Sequence, residues 1–394
     1  MYRLLTAVRN VNSTSIDSII YSFKNMVLIY VIITLPFYFT LNSINIYNYA
    51  IIIFIFIISY YILYVFSKSI VEATNTGSNL VWMLLMSISL LLLLLKNYNI
   101  TFIIFPVLLS FSSSIIDNSI KIRNKTGNIS NSLIALYFML IVVFMMFFGA
   151  LFKLIYISFI LITILLGIIS IVYNNNTIEY KKVRLNKRLG SYIISLSDMR
   201  RIKNLNVLIT IILINSLLYV SLIMVFTFVP LLAISYNVNY NAFIIFLFII
   251  LLISFLAYFA GMLIKNDYYY LISFLGMHVF ILLFIFIITI LNNFNFLYYG
   301  LFLIPVIAFL MPGYYKYKNK KFMLSEIYYI NKFVNFFGMF FIIISPLTGV
   351  YFYDKPRIVL TIAMLPMFVI IILSLKFVNY PDVIHIISKT KYKN

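Results

Sequence analysis

Asn174-Asn-Asn-Thr-Ile-Glu-Tyr-Lys-Lys-Val-Arg-Leu-Asn-Lys-Arg-Leu-Gly190-Ser-Tyr-Ile-Ile-Ser-Leu-Ser-Asp-Met-Arg200-Arg-Ile-Lys-Asn-Leu-Asn206 is the one long polar interruption in this chain of 394 residues. Six apolar stretches precede it and six follow it. They start near Met26, Asn48, Asn79, Asn99, Ser130, Lys153, Val207, Asn241, Tyr269, Phe296, Asn331 and Arg357. Each runs roughly 17 to 23 residues, about what a helix needs to cross a hydrocarbon core. They are apolar all round, whereas the strands of a membrane barrel alternate apolar and polar residues, so a barrel is excluded. The predicted fold is an all-α polytopic membrane protein of twelve transmembrane helices, arranged as two six-helix halves.

Composition agrees. Mean hydropathy is +1.09 and charged residues make up only 10% of the chain, against about 25% in a soluble domain. The charges that remain are sorted by side. When each Lys and Arg is assigned to its nearer loop, all but Lys96, Lys153, Lys355 and Arg357 of the 29 fall in alternate loops. Basic loops stay cytoplasmic. That places both termini and the central linker in the cytoplasm, predicts a multi-pass protein of the cell membrane, and explains the net charge of +20 without a nucleic-acid partner. The polar N-terminal segment, with Asp17 among its basic residues, does not read as a cleavable signal peptide.

The linker divides the chain into 1–173, a cytoplasmic linker over 174–206, and 207–394 with a short tail. Within the linker Leu189, Tyr192, Ile193, Leu196 and Met199 recur at helical spacing between cationic flanks. This suits an amphipathic helix lying on the cytoplasmic membrane face. The halves also echo each other. Pro36 leads through an uncharged loop to an Asn/Tyr run ending at Ala50, and Pro230 leads through a similar loop to Ala242, displaced by 192 to 194 residues. Six is even, so the repeats run parallel.

Chemistry-bearing groups are sparse. There is no cysteine, and no Gly-rich phosphate loop, HExxH or GxSxG motif appears. The acids Asp17, Glu72, Asp117, Glu179, Asp198, Asp267, Glu326, Asp354 and Asp382 read as loop or span-end residues. His278 and His385 lie too far apart in sequence to suggest a metal or haem site, and His278 reads as a buried, satisfied histidine. The chain is therefore expected not to be an enzyme and to need no cofactor or metal. With no ionisable residue evident near a span centre, a uniporter or gradient-driven carrier fits more easily than ion coupling.

Uncharged polar residues remain on the apolar helices. Tyr30, Thr34 and Tyr38 share one face of span one by i, i+4, i+8 spacing. Asn215 and Tyr219 do so in span seven, and Asn331 and Asn335 in span eleven, while Ser110 opens a serine cluster in span four. Tyr30, Thr34, Tyr38, Ser110, Asn215, Tyr219 and Asn335 are candidate cavity residues for a small neutral or amphipathic solute. Hydrogen bonding to neighbouring helices or to their own backbone is the alternative for each.

Twelve spans, cytoplasmic termini, a basic linker and parallel halves together resemble the major facilitator superfamily of secondary transporters across the whole chain. In that family the loop between the second and third helices of each half carries Gly-x-x-x-Asp-Arg-x-Gly-Arg-Arg. Here the second half offers Gly261-Met-Leu-Ile-Lys265-Asn-Asp267, with Lys265 at the acid position and Asp267 displaced by two. The first half offers Lys68, Glu72 and Gly77. The resemblance implies cytoplasmic gate loops at Glu72, Gly77, Gly261, Lys265 and Asp267, a Gly-Pro-rich packing surface at Gly338, Pro346 and Gly349, and a monomer that transports by rocking two six-helix bundles. Two alternatives stay open: a non-transporting membrane scaffold or complex subunit, and a lipid-linked oligosaccharide flippase.

Overall fold

The computed structural model describes residues 2–41, 44–45, 47–74, 79–94, 101–123, 152–174, 205–290, 294–320 and 344–378. Span five, most of the linker with its amphipathic stretch, and the first half of span eleven lie outside them. The described residues are almost entirely helical, with α1 (Tyr2–Leu41), α2 (Tyr47–Thr74), α3 (Leu80–Leu94), α4 (Thr101–Arg123) and α5 (Phe152–Asn174) in the first half. The second half holds α6 (Leu205–Ser235), α7 (Tyr240–Leu263), α8 (Asp267–Ile290), α9 (Phe294–Leu301), α10 (Leu303–Lys320), α11 (Ile344–Tyr351) and α12 (Pro356–Phe377). By length and composition, 8 of the described stretches can cross a membrane, and Leu80–Leu94 and Tyr156–Ser170 are shorter apolar helices. The protein is an all-α polytopic membrane protein.

Two differences from the sequence reading have physical reasons. Span one was expected to start near Met26, yet α1 runs back to Tyr2, because no Gly or Pro interrupts residues 2–35 and a helix once nucleated propagates. Span ten is two helices, broken at Phe302 between α9 and α10, where Pro305 has no N–H for Leu301 O.

The chain forms two compact units, Met1–Ile193 and Ile194–Asn394. In the first, α2 lies along α4, α3 packs between α4 and α5, and α1 rests on α5 and α4. In the second, α10 packs against α7 and α8, α12 against α6 and α8, and α11 against α6. α5 turns one apolar stripe outward. Ile157, Leu161, Leu165 and Ile168 are exposed along α5 while Tyr156, Phe159, Thr163 and Ser170 are buried on its other side. Such greasy stripes are what lipid requires, and helix association then depends on close packing and hydrogen bonds rather than hydrophobicity.

Glycine supplies the close approaches. A Cβ on Gly261 of α7 would run into the carbonyl oxygen of Phe309 in α10, and one on Gly313 would run into Ser273 Oγ of α8. A Cβ on Gly349 of α11 would stand 2.7 Å from the Phe228 ring of α6.

The internal repeat has a structural counterpart. Ile44 N–H closes the end of α1 on Phe39 O at 2.8 Å, and Val238 N–H closes the end of α6 on Ala233 O at 3.1 Å. Asn45 Oδ1 then accepts from Tyr47 N–H, as Asn239 Oδ1 accepts from Asn241 N–H. Both the helix stop and the next helix's N-cap recur at one register. In the second copy Asn237 takes φ 54°, a left-handed conformation that Asn tolerates better than most residues.

Candidate functional site

The polar chemistry of the first unit gathers where α1, α2 and α4 meet. Pro36 in α1 has no N–H for Ile32 O, and Tyr49 of α2 supplies a donor instead, its hydroxyl lying 3.1 Å away. Nearer the end that carries the basic loops, Lys24 Nζ of α1 donates to Asp117 Oδ1 of α4 at 2.6 Å, with side chains only 2% and 6% exposed. Tyr60 of α2 donates its hydroxyl to Asp117 Oδ2. The Lys24 ammonium also lies 5.1 Å from the Tyr21 ring centre. Phe56, Tyr60 and Tyr64 stack along α2 above this junction.

This ion pair corrects the expectation of an interior without charge. Lys24 lies within the apolar stretch Ile19–Leu41 and Asp117 within Phe102–Ser119. Sequence reading assigned Lys24 to the N-terminal loop, to be drawn inward if span one starts earlier, and Asp117 to a span end, because each residue alone lies near a hydropathy boundary. The available signal was Asp117's place in an unbroken helix after Ser110–Ser114, on the face that repeats every three to four residues.

Around the pair runs a seam of hydrogen bonds. Asn118 Nδ2 donates to Tyr64 O and to Ser67 Oγ, while Ser67 Oγ contacts Ser114 O. Ser119 Oγ donates to Asn79 Oδ1 at 2.6 Å, and Asn79 N–H donates to Ser170 Oγ at 3.1 Å. These tie α4 to α2, α3 and α5.

The candidate cavity residues are distributed as follows. Tyr30 and Thr34 turn toward α5: Thr34 Oγ1 and Tyr156 OH are 3.1 Å apart, and the Tyr30 ring meets Tyr156 and Phe159 edge-on. Tyr38 is buried beside Phe39. Ser110 Oγ donates back to Val107 O. Asn215 of α6 donates to Ile211 O at 2.6 Å and lies 3.4 Å from the Tyr314 hydroxyl of α10. Tyr219, one turn further along α6, is exposed. Asn335 lies outside the described residues.

Of the gate-loop candidates, Glu72 lies on the last turns of α2 and Gly77 lies outside the described residues. Gly261 and the start of α8 come together: Tyr269 OH donates to Phe309 O at 2.5 Å, the carbonyl that Gly261 approaches. Asn266 caps α8 by accepting from Tyr268 N–H, which leaves Asp267 in the first turn where the helix dipole favours an acid. Lys265 is exposed.

The second unit holds an aromatic core around a histidine. His278 of α8 is fully buried, its Nδ1 lies 3.1 Å from Ser374 Oγ of α12, and the Phe274 and Tyr314 rings meet it edge-on at 5.7 and 5.3 Å. Its Nε2 has no hydrogen-bond partner among the described residues. The expectation of a buried, satisfied histidine therefore holds for one ring nitrogen.

No family model matches the chain. No curated protein matches it either. Solved structures do. A POT family transporter in complex with a thioalcohol-conjugated peptide is 11% identical and superposes with a TM-score of 0.65, over 94% of this chain and 97% of that one. A mutant of the nucleoside transporter NupG is 11% identical, with a TM-score of 0.63 over 93% of this chain and 100% of that one. At this identity the likeness is one of fold. The chain shares the overall fold of these membrane transporters, as a resemblance to a transporter superfamily leads one to expect.

Proposed function

We propose that the protein is a secondary transporter that carries a small organic solute, neutral or amphipathic, by alternating access between two six-helix bundles. The bundles are 1–173 and 207–394, joined by the basic linker 174–206. The protein works as a monomer in the cytoplasmic membrane with both termini inside, and it performs no chemistry on its solute. The observation that carries this reading is the Lys24–Asp117–Tyr60 junction. Ionisable side chains within a membrane span are costly and are retained for function, whereas a static scaffold is served as well by apolar contact. The fold shared with transporters supports the same reading. The solved structures of like fold include one bound to a peptide and one named for nucleosides, both small organic solutes. The junction answers the scaffold alternative most directly. For the flippase, the charge is a balanced pair rather than a cationic cavity.

The chain has no native cysteine, so Thr40→Cys with Ile234→Cys tests the mechanism. These positions end α1 and α6 away from the basic loops. Crosslinking yield is measured in native membranes with fractions of a small-solute extract. A carrier gives a yield that changes with one fraction and not with others. A folded protein whose yield no fraction alters is a scaffold.

A further inference from the structure

His278 is the twelfth of the 24 residues of α8, which puts an imidazole half-way along a membrane-length helix. We propose that His278 is a proton-binding site, and that taking up a proton there parts the seam between α8 and α12. The inference rests on the carrier reading for its use, since it names a coupling ion for that cycle.

The neutral ring has one arrangement that leaves no donor stranded. With its proton on Nδ1, the ring donates to Ser374 Oγ 3.1 Å away, and the Nε2 lone pair faces a packed interior without a partner among the described residues. The opposite tautomer would bury an N–H with no acceptor, which costs more than a buried lone pair. Nε2 is therefore the vacant position, and a proton from water is all the chemistry requires: it adds to the lone pair and later leaves from it.

What surrounds the ring determines the effect of that proton. From α10 the Tyr314 ring touches it and stacks on Phe274, which Tyr317 meets at a tilt. The Lys318 ammonium stands over Tyr314 and Tyr315. From α12 come Ser374 and, near the helix end, Lys376, with Arg357 at the far end. Tyr298 and Tyr299 are the titratable groups of α9. Neither α9, α10 nor α12 contains an Asp or Glu. On α8 itself the acid is Asp267, eleven residues away and roughly 16 Å along the axis. An imidazolium in this packing would have no counter-ion among the described residues and one N–H without an acceptor. The charged ring therefore favours an arrangement in which water or a polar solute reaches Nε2. Tyr314 also reaches Asn215 of α6, so loosening around His278 is felt on the helix that carries a candidate cavity residue. The first unit holds a balanced ion pair, and the second holds a group that changes charge.

The test uses the full chain in liposomes. His385→Gln leaves His278 as the one histidine, and ¹⁵N-imidazole labelling then reports its charge by solid-state NMR between about pH 5 and about pH 8, the range around the ordinary imidazole value. Spin labels at Ile272→Cys and Leu375→Cys, both exposed, report the α8–α12 distance. The expected result is an imidazolium signal that grows as pH falls, with the longer-distance population rising about fivefold and losing its pH response in His278→Gln. A ring that stays neutral throughout overturns the proposal, as does a distance response that survives His278→Gln. The NMR signal is read on His278 itself, so a variant that fails to fold does not shield the idea. Alternation by crosslinking with a neutral His278 overturns this inference alone, whereas a charging His278 without alternation removes the carrier reading.

Discussion

Breaking the buried pair from one side should be far more damaging than removing it from both. In Lys24→Met or Asp117→Asn, the surviving partner keeps a side chain that is at most 6% exposed, and stripping one partner from such a pair costs about 3–5 kcal/mol. Asn is chosen at 117 because its side-chain oxygen still accepts from Tyr60, which separates loss of charge from loss of that hydrogen bond. The double variant has no uncompensated charge and should lie within about 1 kcal/mol of the parent. The implied coupling energy is then at least about 5 kcal/mol, far beyond the roughly 0.5 kcal/mol scatter expected of independent sites. Trp82 is the chain's single tryptophan and lies in α3 against Phe111 of α4, ring centres 5.9 Å apart. Its fluorescence during denaturant unfolding in mixed micelles therefore reads the unit that holds the pair. Single variants each costing under about 1 kcal/mol and adding without coupling would refute the ion pair and the functional reading built on it.

Other substitutions test the packing. Gly261→Ala, whose Cβ would run into Phe309 O, should cost about 1–3 kcal/mol in a thermal melt, while Gly276→Ala, whose nearest neighbour is 3.5 Å away, should be nearly silent. Asn237→Gly keeps the left-handed turn after α6 and should leave the melting temperature close to the parent's, whereas Asn237→Val should lose about 1–2 kcal/mol. Tyr49→Phe should cost about 1 kcal/mol in the same melt by stranding Ile32 O, and adding Pro36→Ala, which restores the internal donor, should recover most of it.

Hydropathy was enough to read an all-helical membrane protein, because length and the exclusion of charge follow directly from the bilayer. Even the repeat was visible, since the Asn residues that cap α2 and α7 belong to the two Asn/Tyr runs that echo each other. What failed to show was pairing across the bundle. Lys24 and Asp117 are 93 residues apart, and a one-dimensional hydropathy trace carries nothing about which faces meet. The same blindness affected Tyr30 and Thr34. Their spacing fixed a shared face, but only the packing of α1 on α5 shows that this face meets Tyr156 and Phe159. The break at Phe302 left a trace that hydropathy does not read: Gly300 precedes it and Pro305 follows it, and Pro305 has no N–H for Leu301 O.

The Tyr49 hydroxyl on Ile32 O gives α1 an unusual division of labour. A proline leaves a helix with a soft joint, yet here the joint is bolted to the neighbouring helix by a phenol. The joint in α1 is thereby tied to α2. Bending of α1 at this joint has to begin by drawing that bolt, so an isotope-edited infrared probe of the Ile32 carbonyl would read whether it is drawn.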